Sequence, residues 1–445
     1  MWNDAKRCGK RIGVLPSGGL ARGRHRWSLR ALLLIACLGA FPVLAQQALS
    51  GGDDDYDALL AMIGDARIVM LGEATHGSLE FYRERARLTR KLVAQAGFDA
   101  VILEAPWEPS RCVDAYLRDG KGSAEAALRE FRRFPRWLWR NREFESFVDS
   151  LRGINAVRGV EQKPVRLLGM DLYSVPESAE AVLRYVADDP AKASVARARY
   201  ACFTKYRKEP MRYGYEVAEG SEDSCAEGAL AQLNEIAAGR DMRDESWFAA
   251  WQSARVVQGG EAYYRALYRE GEISWNWRER HLAETVSQFL EYLGPRAKVV
   301  VWAHNSHVGD ARATSQSEAG EVSLGQLLRE RFGDDVVLVG FSTYRGDVRA
   351  APDWGRADRV WRLRPALDES WHAQLHRLGF PSALLIFRGN PALAEQYEAR
   401  RLERVVGVMY VPSEELSNHY RHARVSREFD AVVHIDVTRA LPVRP

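Results

Sequence analysis

The sequence predicts an α/β fold: a mainly parallel central sheet flanked by helices, with a large helical insertion or cap between the third and fourth strands. Three observations carry this expectation. Residues 67–107 read as strand, turn, helix and strand, a βαβ unit whose two strands should lie parallel. Short apolar runs then alternate with helical patterns along most of the chain, as in a sheet covered by helices. Between them, residues 176–293 keep helical spacing and offer no convincing strand.

The elements follow in order. Residues 1–45 carry eight Lys/Arg against one Asp, and Arg22, Arg24, Arg26 and Arg30 precede the apolar run Ala31 to Leu44. That is the layout of an export signal, with Val43-Leu44-Ala45 as its cleavage site. A lipoprotein signal ending at Cys37 is the rival reading. The whole chain is +3, so the remainder is −4, and the sequence implies no nucleic-acid partner. The expected mature protein is a single catalytic domain, residues 46–445, periplasmic or secreted and tied to the membrane only through its leader.

Residues 53–63 lead into a short helix. Arg67 to Leu71 is a strand that ends at Gly72; apolar or small residues at helical spacing run from Leu79 to Ala96, and Gly97 is placed to terminate that helix. Ala100 to Leu103 is the second strand. Helices are expected over Ala124–Arg133, broken at Pro135, and over Phe144–Val157; Val165–Gly169 is the third strand. The insertion reads as helices at Ala179–Val186, Ala191–Tyr206, Ala226–Ala238, Ser246–Tyr268 and Trp275–Leu293. Strands resume at Lys298–Trp302, Val336–Phe341, Ala383–Phe387, Val405–Val411 and Ala431–Ile435, with helices at Leu324–Arg331 and His372–Leu378 between some of them. Cys8 and Cys37 fall in the leader. Of the remaining three cysteines, Cys202 and Cys225 are the nearer pair, and an oxidising compartment permits their disulfide.

Polar residues stand where such sheets bind ligands, just beyond the carboxyl ends of the strands. Glu73 and His76 follow the first strand, Glu104 the second, Asp171 the third, and His304 and His307 the fourth. Alone, Glu73 is as ready to cap a helix, and His76 to pack. Together, Glu73, His76, Glu104 and His304 at one sheet edge favour a site. The cluster suits a transition metal, or metal-free activation of water with one histidine as base. No G-x-S-x-G elbow, Walker loop or G-x-G-x-x-G is present, so neither a serine nucleophile of that kind nor a nucleotide cofactor is indicated.

Several segments resemble the erythromycin esterase family. They are G-E-A-T-H-G-S at Gly72–Ser78 with F-Y-R-E-R-A-R-L after it, E-A-P-W at Glu104–Trp107, W-N-W-R-E-R-H at Trp275–His281 and K-V-V-V-W-A-H-N-S-H at Lys298–His307. Y-V-P-S-E-E-L-S-N-H-Y at Tyr410–Tyr420 and F-D-A-V-V-H-I-D-V-T-R-A at Phe429–Ala440 complete the set. The resemblance implies an α/β core with a helical insertion over a deep cleft. It implies hydrolysis of a macrocyclic lactone, such as a macrolide, by activated water without a metal or other cofactor. His76 is then the general base, with Glu73, Glu104 and His304 as its supporting catalytic residues. Arg85, His307, Trp107 and Arg278 are the expected substrate contacts. Leu79, Pro106 and Glu279 depart from the family's usual residues. Two alternatives stand beside this reading: an exported metal- or haem-binding protein using the same cluster, and a non-hydrolytic role in handling envelope components or secondary metabolites.

Overall fold

The computed structural model describes residues 45–158, 162–269, 271 and 273–443. The leader, with Cys8 and Cys37, lies outside the described residues. The strands are β1 (Gln46–Ala48), β2 (Ile68–Leu71), β3 (Ala100–Pro106), β4 (Arg166–Asp171), β5 (Val299–Trp302), β6 (Val336–Ala350), β7 (Arg359–Leu363), β8 (Ser382–Ile386), β9 (Arg401–Arg404), β10 (Tyr420–Ala423) and β11 (Ala431–Thr438). The main sheet runs β1-β8-β11-β6-β2-β5-β3-β4, with β7 paired to the end of β6. From β11 to β4 every pairing is parallel; β8 and β1 close one side antiparallel.

The βαβ unit is present, with its helix at Leu79–Gln95 and Gly97 at a positive φ of 70° beyond it. Its two strands are parallel but not neighbours. β5, some 200 residues further along, lies between them, with Leu71 and Leu103 both in register with Trp302. Crossover connections only have to return the chain to the same edge, so sequence adjacency does not dictate strand adjacency.

The central strands are apolar on both faces, as a sheet buried on both sides requires. Ile68, Met70, Ile102, Val299, Val301 and Leu338 face one way. Val69, Leu71, Val101, Leu103, Val300 and Trp302 face the other. The first face packs under the insertion, chiefly under the helices Glu245–Ala266 and Ser274–Leu293. The second packs under Leu79–Gln95 and Arg142–Val157.

The insertion consists of helices joined by turns, with no strand among its described residues, and has one helix the sequence did not announce, Pro210–Ala218. A second unannounced helix, Trp107–Asp119, follows β3 directly; its Pro109 sits in the first turn, where no intrahelical N–H bond is lost. The helix expected over Ala124–Arg133 stops at Leu128. Cys202 and Cys225 form a disulfide with Cα atoms 6.0 Å apart, and Cys112 is free and exposed. Residues 405–411 do not form a strand. β9 ends before them and pairs only with β10, and the strand-like pairings of 405–411 are the isolated bridges Thr75–Val406 and Ala351–Met409. Gly407 and Pro412 explain this, since neither suits a ladder. No helix among the described residues is long and apolar enough to cross a membrane.

Candidate active site

Four adjacent parallel strands, β2, β5, β3 and β4, end at one edge, and each delivers a polar group there. Gly72 lets the turn after β2 begin: a Cβ at that position would stand 2.2 Å from Asn305 Oδ1. The turn Glu73–Ser78 is fixed from outside. His76 N–H donates to Val406 O at 3.1 Å, and Val406 N–H donates back to Ala74 O at 2.9 Å. The irregular stretch 405–411 thus holds the histidine's backbone.

His76 Nδ1 lies 2.8 Å from Glu73 Oε1, and Glu73 Oε2 accepts from Arg85 Nη2 at 2.6 Å. An ionised carboxylate only accepts, so the imidazole proton sits on Nδ1 and Nε2 is the basic nitrogen left for the cleft. Arg85, two turns into the following helix, is 1% exposed and packs its guanidinium on the rings of Tyr82 and Trp302. It does not line the cleft. The expectation that it contacts substrate is corrected: it holds Glu73 from behind.

His304 follows β5 and caps the short helix Asn305–Val308. Its Nδ1 accepts from Ser306 N–H at 3.3 Å and lies 2.8 Å from Ser306 Oγ, while the backbone N–H of His304 donates to Glu104 Oε2 at 2.9 Å. Accepting a backbone N–H places the ring proton on Nε2. That atom is buried and has no protein partner. The rings of His76 and His304 are 4.7 Å apart. Burial, then the neighbouring His76, keeps His304 well below the usual histidine value, so it is neutral.

A second group ties the insertion to the sheet edge. Arg278, in the first turns of the helix Ser274–Leu293, donates to Asp171 Oδ1 at 3.1 Å and Oδ2 at 2.6 Å, and to Glu104 Oε1 at 2.8 Å. His307 has Nδ1 2.6 Å from Glu279, and Nε2 3.2 Å from Glu104 and 3.0 Å from Arg278 Nη1, and its ring stacks on Trp275 at 4.5 Å. Burial opposes its charge, but Glu104 and Glu279 outweigh burial and raise it to about 9. Burial likewise works against the charge of Glu104, yet His307 and Arg278 hold it well below the carboxylate range. Glu104 is therefore an ionised anchor with both oxygens engaged. Among the described residues, no three His, Cys, Asp or Glu side chains are arranged to hold a metal ion.

These groups floor a cleft of about 740 Å³, within the span of small-molecule sites. His76, Glu104, His304, Ser306, His307 and Arg278 line its base, and Trp139, Tyr173, Tyr263 and Trp354 form aromatic walls. Trp107 is not among them. It is buried against Phe248 and Phe289 and donates to Ser253 Oγ at 3.1 Å, so it is a core residue and not the expected substrate contact. Glu73, likewise buried, meets the cleft only by way of His76. The structure adds Asp171, Glu279 and Ser306 to the site. Asp171 carried the signal of its strand-end position; Glu279 and Ser306 stood only inside the segments that carry the resemblance, next to Arg278 and His307. The walls come from four separate stretches, Trp139 just before the helix Arg142–Val157, Tyr173 just after β4, Tyr263 in the insertion and Trp354 in the loop between β6 and β7, which sequence adjacency cannot bring together.

Comparison with known proteins agrees with this architecture. The profile of the family described as "Erythromycin esterase" matches residues 93–438, a span that includes Glu104, Arg278, His304 and His307 and begins after His76. Erythromycin esterase type II of Escherichia coli is 21% identical over 326 residues, covering 67% of this chain and 74% of that protein. A putative hydrolase of Bacillus subtilis, YbfO, is 21% identical over 421 residues, or 87% of each chain. Among solved structures, a mutant of the erythromycin esterase EreC in its open conformation superposes with a TM-score of 0.65 at 17% identity, over 86% of this chain and 94% of that one. A protein titled succinoglycan biosynthesis protein superposes with a TM-score of 0.75 at 22% identity, over 90% and 97% of the two chains.

Proposed function

Because the chain belongs to the erythromycin esterase family, we propose that it hydrolyses a carboxylic ester or macrocyclic lactone with water activated by His76. Family membership supports a hydrolase; the carrying observation for the chemistry is the chain Arg85–Glu73–His76, which leaves His76 Nε2 as the base facing the cleft. Water held at Nε2 gives up its proton as its oxygen attacks the ester carbon. The carbonyl oxygen becomes an oxyanion, and His304 Nε2–H, unsatisfied and buried beside His76, supplies a donor for it. Collapse breaks the ester C–O bond, and the leaving alkoxide takes the proton from His76. The products are an acid and an alcohol, joined in one chain when the substrate is a lactone.

The aromatic walls suit a bulky, largely apolar substrate such as a macrolide. Export to the periplasm or beyond is part of the same proposal, supported by the leader and by a disulfide of the kind that persists in oxidising compartments. The test is to incubate the mature chain, residues 46–445, after chelation, with macrolides, simple lactones and acyl esters, and to follow mass gain of one water. Ring opening or ester cleavage that disappears in His76→Ala is expected. Activity that returns only when metal is restored would replace this mechanism with a metal-dependent one. Turnover that persists in His76→Ala would move the base elsewhere.

A further inference from the structure

One hydroxyl beside His304 has no role in the scheme above. Ser306 is half-buried, lines the cleft and places Oγ 2.8 Å from His304 Nδ1, while its backbone N–H points at the same nitrogen. The residue before it, Asn305, is fixed to β6 in both directions, its Nδ2 donating to Phe341 O at 2.8 Å and its Oδ1 accepting from Phe341 N at 3.1 Å. The short helix carrying Ser306 therefore cannot drift from the sheet edge.

We infer that Ser306 is a positioning residue that pins His304 as a neutral donor, its Nε2–H aimed at the reacting carbonyl while His76 alone carries the proton. The inference rests on the reading of His76 as the base. Two imidazoles with centroids 4.7 Å apart cannot both be charged at low cost. During the reaction His76 must hold the proton taken from water, so His304 must refuse one. A ring nitrogen that already accepts hydrogen bonds is hard to protonate without breaking them, and Ser306 offers two donors to His304 Nδ1. The same bonds fix the ring that carries Nε2–H, the buried donor left without a protein partner.

A nucleophilic Ser306 with His304 as its base is the other chemistry a serine–histidine pair allows. That arrangement needs a free Nδ1 and a carboxylate on the far nitrogen. Here Nδ1 also takes a backbone N–H, and Nε2 has no partner.

The experiment uses Ser306→Ala and Ser306→Thr in the full mature chain. The ¹⁵N resonances of the His304 imidazole, followed against pH without substrate, report which nitrogen holds the proton and whether the ring titrates. In the wild type they should show a neutral ring protonated on Nε2. Ser306→Ala leaves Nδ1 only the longer backbone N–H bond, at 3.3 Å, so it should raise the share of the other tautomer and move the ring's titration upward, and Ser306→Thr should restore the wild-type pattern. On an ester the enzyme turns over, Ser306→Ala should lower kcat about tenfold, the loss of roughly one hydrogen bond, with little change in KM. The acid limb of its kcat–pH profile should move up. An unchanged tautomer and pH profile in Ser306→Ala would overturn the inference, as would labelling of Ser306 by an alkyl fluorophosphonate in the wild type. The tautomer does not depend on turnover: a shifted tautomer with no ester cleaved sinks the hydrolase reading alone. Cleavage that needs His76, with the tautomer unmoved by Ser306→Ala, sinks the role of Ser306 alone.

Discussion

Glu73 has two oxygens and two clients, and that arithmetic makes its amide variant informative. In Glu73→Gln the carbonyl oxygen can serve Arg85 or His76, not both. Arg85 has no other kind of hydrogen bond to make than one to an acceptor, so the amide NH₂ turns to His76 Nδ1 and forces the ring proton onto Nε2. The base is then blocked with its geometry intact, and kcat should fall by about 10⁴-fold, the size of a comparable tautomer inversion in a serine protease. Arg85, 1% exposed, loses its counter-ion in the same variant, which should cost about 3 kcal/mol in urea unfolding. Adding Arg85→Met should return most of that stability and none of the activity, separating the two effects. This level was partly legible in the sequence. Glu73, His76, Glu104 and His304 could be gathered because each follows a strand and parallel strands end together. The role of Arg85 could not be read, because whether a residue nine positions after His76 faces the cleft or the turn's underside depends on where the helix packs.

The helix Ser274–Leu293 docks through charge, and its docking should answer to pH. His307 is raised from 6.5 to about 9 by Glu104 and Glu279 despite its burial. A folded value above the unfolded one gives stability that is complete below pH 6.5 and lost as pH climbs through about 9. Glu104 is shifted the other way, so its share is present above 4.5 and lost as pH falls through its depressed value. Unfolding free energy should therefore drop by on the order of 3 kcal/mol between pH 6.5 and 9.5, and His307→Gln should flatten that slope. Denaturant titrations across this range check it; an equal slope in the variant would detach the effect from His307. Trp107 gives the complementary case. Its ring fills the interface between β3 and the insertion, so Trp107→Ala should cost about 3–5 kcal/mol while kcat/KM, measured where the variant remains folded, stays near wild type. A large rise in KM would return Trp107 to the cleft. At this scale most strands and long helices were legible, because buried parallel strands are short apolar runs and helices keep their period. Residues 405–411 were misread for the same reason: Val405, Val406, Val408 and Val411 look like a strand, and Gly407 and Pro412 were the signal against it. The position of β5 between β2 and β3 had no signal, since strand order is decided by how crossovers pack.

The insertion, although continuous in sequence, does not own a core. Val175, Phe248, Val257, Leu282 and Phe289 from its helices share one apolar cluster with Ile68, Ile102, Val299 and Val301 from the sheet. Removing either side would expose the other's apolar face, so we expect the two to unfold together: near-UV signals from the insertion's tryptophans and far-UV loss should superimpose in one thermal transition. The disulfide lies entirely within the insertion, closing a loop between residues 23 apart in sequence. Within that loop Tyr213 donates to Glu261 Oε1 at 2.7 Å and accepts from Cys225 N–H at 2.9 Å, so the loop is pinned to the helix that carries Tyr263 into the cleft. Replacing both cysteines with serine should lower stability by about 2–4 kcal/mol through the longer reach of the unfolded chain. If insertion and sheet are one cooperative unit, that local loss must appear as a lower midpoint of the single transition, for the sheet as much as for the helices. A variant that instead splits the transition in two, with the insertion melting first, would make the cap a separately folding body and the cleft a boundary between two units.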